Sequence, residues 1–170
     1  MSLETLISTW KDVRSGLIEE AELIPAESFG FRATPEMRSV AEILQHVMGV
    51  QQLLSGELCR PDTNLARAPF LDLVKEYAPE VLAAAGKEEL VSLLSSTMDK
   101  TEARIRSFGE EGLAAMTRRF DGKEISKHDF LMFSISHEMY HRGQLTVFER
   151  LLNLEPALTT RLKKMFGSAV

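Results

Sequence analysis

The chain of 170 residues has one cysteine, one tryptophan and two tyrosines. A single thiol cannot close an intramolecular disulfide or build a zinc site from several thiolates. Glycine and proline are scarce, at 10 and 6, and aromatic residues make up 7%. A chain so poor in turn formers and aromatic strand formers leans towards helix. Basic residues do not dominate: Lys and Arg total 20 against 25 Asp and Glu, for a net charge of −5. That balance lacks the basic footprint of a nucleic-acid binder. No apolar run approaches the ~20 residues of a membrane span, so no membrane partner is expected. The stretch Met1 to Trp10 carries Glu4 and no basic segment ahead of its apolar residues, unlike a signal peptide. These absences set the expectation of a cytoplasmic protein. The length suits one domain over residues 1–170, large enough to bury a core without covalent staples.

What is present is helical periodicity. Leu3, Leu6, Ile7, Trp10, Val13 and Leu17 recur at three- and four-residue steps, predicting an amphipathic helix capped by Ser2 and ended before Pro25. Residues 25–38 read as a connection, with a helical turn begun at Pro35. Ser39-Val40-Ala41-Glu42 has the form of a capping box. The stripe Val40, Ile43, Leu44, Val47, Val50 and Leu54 follows it and should stop near Leu58 to Arg60, before Pro61. A short helix is expected between Pro69 and Pro79, and a further turn before Gly86. A third long helix runs from about Lys87 to Phe108. Residues 109–126 form a second connection with a turn at Asp121-Gly122 and no recognisable strand. The fourth long helix spans about Ser126 to Asn153, with Phe130, Phe133, Leu145, Phe148 and Leu151 assigned to its core face. A short terminal helix begins at Glu155-Pro156, with Leu158, Leu162 and Met165 on its apolar side. The expected fold is all-α: a four-helix bundle with long crossover connections and a short C-terminal helix.

His137 and His141 carry the chemistry. Four residues apart on one helix, they lie about 40° apart around its axis and one turn apart along it. Counting about 100° per residue from His137, Phe130 and Phe148 fall near 20° and Phe133 and Leu151 near −40°. The pair therefore shares the apolar face. His46, on the second helix, points between Val50 and Leu53 and should also face inward. Each histidine alone is an ordinary packing residue. Three buried imidazoles together need several hydrogen-bond partners, and one divalent cation satisfies all three while keeping an open coordination position.

The pentad His137-Glu138-Met139-Tyr140-His141 also spells H-E-x-x-H, in which two histidines bind zinc and the glutamate is a general base. A zinc protease is nonetheless the last of the readings. No glycine-spaced third histidine follows, and Glu138 points about 100° from His137, as a solvated or helix-packing carboxylate. Gln144, one turn after His141 on the same face, is a hydrogen-bond partner for the pair. Arg142 is expected to pair with acids, and Gly143 to admit a neighbouring helix. His128 reads as a surface residue and Cys59 as a buried or inert thiol. Three functional classes stay open: a metal-dependent enzyme, a non-enzymatic metal- or ligand-binding bundle, and the protease.

Ser39-Val40-Ala41-Glu42-Ile43-Leu44-Gln45-His46 and His137-Glu138-Met139-Tyr140-His141-Arg142-Gly143-Gln144 resemble the second- and fourth-helix signatures of the DinB/YfiT-like superfamily of bacterial helical bundles. Their order and separation match as well. The resemblance covers the chain from the first helix to about residue 155. It implies a four-helix bundle holding one divalent metal on His46, His137 and His141; imidazole ligands suit zinc or nickel first, with iron or manganese also compatible. It further implies a homodimer and a small-molecule substrate. Characterised relatives include S-transferases and isomerases that use a low-molecular-weight thiol (bacillithiol, mycothiol or glutathione), and others are described as hydrolases. The expected activity is thus metal-dependent activation of a thiol or water for S-transfer or hydrolysis.

Overall fold

The computed structural model describes residues 1–167. Four long helices form the bundle: α1 (Leu3–Leu23), α2 (Val40–Leu58), α5 (Lys87–Ser107) and α7 (Lys127–Leu151). Between α2 and α5 the chain makes two short helices, α3 (Phe70–Tyr77) and α4 (Pro79–Ala83). Between α5 and α7 it makes a turn of helix, α6 (Gly109–Gly112), and a hairpin of β1 (Met116–Arg118) and β2 (Glu124–Ser126). Helix α8 (Ala157–Phe166) follows the bundle. No helix among the described residues is long and apolar enough to cross a membrane.

Both predicted caps form. Ser2 accepts from the backbone N–H of Thr5 at the start of α1. At α2, Ser39 Oγ accepts from Glu42 N at 3.2 Å while Glu42 Oε2 accepts from Ser39 N at 2.8 Å, closing the reciprocal box. In the bundle α1 packs against α5 and α7, and α2 packs against the same two. The consecutive helices α1 and α2 therefore sit diagonally, which is why long crossovers are needed. Helix α3 lies on α2, and two glycines admit it. A Cβ at Gly49 would stand 3.1 Å from Val74 Cγ1, and one at Gly56 would collide with the Tyr77 ring.

Two apolar clusters fill the interior. One gathers Leu6, Trp10, Leu53, Leu54 and Ile135; the other gathers Leu17, Leu44, Val47, Leu145 and Phe148. Buried polar groups tie the helices together between them. Arg14 and Glu138, both essentially inaccessible, form an ion pair. Arg14 also donates to Leu94 O at 3.2 Å and Thr97 Oγ1 at 3.3 Å. Gln52 Nε2 donates to Thr101 Oγ1 at 2.7 Å. These groups of Arg14, Glu138 and Gln52 have the partners that burial requires.

Several expectations need correction. The 109–126 connection does contain strand: Thr117 faces Ile125 in an antiparallel pair, and Gly122 turns the hairpin at φ 79°. Three-residue strands are too short to show alternation, so only their turn was visible. No helical turn forms at Pro35; residues 34–37 make a single bend closed by Met37 N on Thr34 O. Cys59 is exposed, not buried. Nothing stands within 4 Å of a Cβ built at Gly143, so no helix approaches there. Helix α8 buries none of its residues, and Met165 is exposed.

Candidate metal centre

The face that α7 turns inward differs from the one its apolar residues suggested. Phe133 and Leu151 are half exposed, whereas Ser134, Glu138, Leu145 and Glu149 are buried. On the helical wheel the buried set centres about 80° from His137. The core direction is therefore close to Glu138, and the histidines stand at its rim. That placement suits a site: His137 and His46 are half-buried and His141 is buried, at the edge of the bundle.

The structure brings His46, His137 and His141 together. His137 Nε2 lies 3.1 Å from His46 Nε2 and 3.1 Å from His141 Nε2. All three candidate ligand atoms lie within 4.8 Å of one another. The rings meet edge to face, with centroids 4.5–5.0 Å apart. His46 comes from the second turn counted from the capped start of α2, and the other two from consecutive turns of α7. Gln144 Oε1 lies 2.8 Å from His141 Nδ1 and accepts its proton. That bond fixes the tautomer and leaves the Nε2 lone pair facing the other rings.

Burial first, then the charge of Arg38 and the neighbouring rings, pushes His46 down to about 3. Burial, His141 and Arg38 push His137 down to about 4. Burial also lowers His141, against the opposing hydrogen bond it donates to Gln144. At neutral pH the rings are uncharged. One N–H on His137 can serve only one neighbour, which leaves a nitrogen lone pair facing nitrogen. A single cation satisfies all three lone pairs, and donors about 2.1 Å from a tetrahedral ion stand about 3.4 Å apart. The donor set fits a divalent metal.

Beside His46 is a cleft of about 340 Å³ whose apolar wall is Phe70, Leu71, Val74 and Leu82. Arg38 lines this cleft, and also a second one of about 390 Å³ bordered by Gln144.

The other residues singled out in the sequence lie elsewhere. Glu138 turns away from the rings: Trp10 Nε1 donates to its Oε2 at 3.1 Å, and Arg14 engages both of its oxygens. It is neither solvated nor poised as a base, so the pentad does not assemble a protease site. Arg142 pairs with Glu20 at 3.0 Å, as expected. His128 sits partly exposed at the start of α7 beside Asp129. Cys59 caps the far end of α2, its thiol 3.2 Å from Arg104 O. Arg14 and Arg38 went unremarked in the sequence. Arg14 carried a signal, because a charge one turn after Trp10 on an apolar stripe needs a buried partner. Arg38 carried none, since its place beside the rings comes from the fold of the 25–38 connection.

Among solved structures, the chain resembles a DinB-like protein from Bacillus subtilis, with TM-score 0.68 and 19% identity over 88% of this chain and 92% of that one. It also resembles YfiT from Bacillus subtilis, described as a probable metal-dependent hydrolase with an unusual four-helix bundle topology. That match has TM-score 0.71 and 13% identity, covering 90% of this chain and 89% of that one. A third is a variant of a mycothiol-dependent maleylpyruvate isomerase, with TM-score 0.68 and 14% identity over 85% of this chain and 61% of that one. At these identities the likeness is one of fold. No curated protein matches significantly. The DinB family model matches residues 1–168, and the chain belongs to the DinB family.

Proposed function

We propose that this protein is a metal-dependent enzyme acting on a small molecule, with transfer involving a low-molecular-weight thiol as its reaction. His46, His137 and His141 would hold the ion, and their convergence within 4.8 Å carries the reading. A divalent ion on neutral ligands keeps its full charge and acidifies a bound thiol or water. Zinc or nickel suits an all-imidazole set, and iron or manganese also accepts one.

The protein's own side chains do the rest. Gln144 holds the His141 lone pair inward. Phe70, Leu71, Val74 and Leu82 give the cleft beside His46 an apolar wall. Glu138 is committed to Arg14 and Trp10, and Glu42 to Arg32 at 2.5 and 2.6 Å, so neither is free to act as a general base. A thiol, once deprotonated, is a strong nucleophile that needs no such base, whereas hydrolysis commonly uses one. The fold likeness to a mycothiol-dependent isomerase supports this choice. Hydrolysis is the second reading, supported by the likeness to a probable metal-dependent hydrolase.

Elemental mass spectrometry of the untagged protein tests the proposal. One divalent ion per chain is expected, and loss of that ion in His46→Ala. A wild-type protein that holds none after reconstitution would overturn it. Turnover of an electrophile that depends on added thiol then favours transfer, and thiol-independent cleavage of esters or amides favours hydrolysis. A stoichiometric metal with neither activity leaves a non-enzymatic metal-binding bundle.

A further inference from the structure

The cleft beside His46 has an uneven charge. Its one carboxylate, Glu42, is fully engaged: Arg32 takes both oxygens, and the backbone N–H of Ser39 takes one of them as well. The imidazoles are neutral. Arg38, next to the cap of α2, is exposed and lines the cleft together with His46. Among the described residues it has no carboxylate partner and no hydrogen bond. Its neighbour Arg32, six residues earlier, is paired. The other charge at the second cleft, Glu36, is likewise exposed and makes no ion pair with Arg38 among the described residues. An exposed guanidinium lining a cleft whose one carboxylate is already engaged is suited to a ligand carboxylate, which it binds through two parallel hydrogen bonds.

We propose that Arg38 is a specificity-determining residue that binds the carboxylate of a small amphipathic substrate, whose apolar body lies along Phe70, Leu71, Val74 and Leu82 and whose reacting end reaches the three histidines. The inference deepens the enzyme reading above and rests on it for the reacting end only. The cleft volume of about 340 Å³ suits such a molecule.

Hexanoate and 1-hexanol are the probes, titrated calorimetrically into the protein as purified and after chelation, with metal content measured alongside. Wild-type protein should bind hexanoate about tenfold more tightly than 1-hexanol in both forms, as one charge-assisted pair would give. Arg38→Ala should remove that preference and leave metal content and 1-hexanol binding unchanged, and Arg38→Lys should keep part of it. Hexanoate binding that is equal in wild type and Arg38→Ala overturns the proposal, as does binding seen only in the metal-loaded form. A wild-type protein that holds no metal even after reconstitution, yet shows the Arg38-dependent preference, would sink the enzyme reading and leave the carboxylate subsite standing.

Discussion

Glu138 separates two chemistries that the same five letters allow. In a zinc protease the glutamate of the pentad faces the metal and moves a proton; here its carboxylate faces α1 and neutralises Arg14. Both side chains are shut off from water. Removing one therefore leaves the other as an uncompensated buried charge. Glu138→Ala should cost about 3–5 kcal/mol in urea denaturation, while the folded fraction keeps its metal. A catalytic base would give the reverse, with stability retained and turnover lost. The histidines were legible in the sequence because four-residue spacing on a helix and an inward direction are local facts. The partner of Glu138 was not, because Arg14 lies 124 residues away and only the packing of α1 against α7 joins them.

Helix α2 holds His46 at a defined height because its first turn is tied down. The Ser39–Glu42 box satisfies two backbone N–H groups, and Glu42 also anchors Arg32 from the preceding connection. Ser39→Ala should destabilise the protein by about 1 kcal/mol, measurable as a lower denaturation midpoint at unchanged m-value. Hydrogen exchange should rise first in residues 40–43. All four long helices were legible from their 3.6-residue stripes and end signals, to within a residue or two. The orientation of α7 was not. Phe133 and Leu151 drew the apparent core face towards themselves, while the interior took Ser134, Glu138 and Glu149. An apolar count cannot foresee polar groups that are buried because they find partners on other helices. The hairpin escaped for a different reason: its strands gain their regularity from pairing with each other, over three residues apiece.

The end of α7, the last turn of α1 and the start of α8 meet at a buried pair of carboxylates, and this junction sets how stability responds to pH. Glu20 accepts from Ala157 N at 2.7 Å, Leu158 N at 3.3 Å and Arg142 Nη2 at 3.0 Å, fastening α8 to the bundle. Glu149 lies beside it, fully buried, with no N–H donor among the described residues. Burial, then the charge of Glu20 and a hydrogen bond to it, pushes Glu149 up to about 8, against the weaker pull of Arg150 and Arg142. The folded state therefore keeps a proton on Glu149 at pH values where the unfolded chain has released it. Between about 4.5 and 8 the native state binds more protons than the unfolded one, so this group's contribution to stability falls as pH rises and levels off above about 8. Glu149→Gln carries a permanently neutral side chain that can still donate to Glu20. It should match wild type near pH 4 and become progressively more stable than wild type up to pH 8, read as a widening gap in thermal midpoint across a pH series. A constant gap across that series would mean that the proton on Glu149 does not couple the two helices to folding.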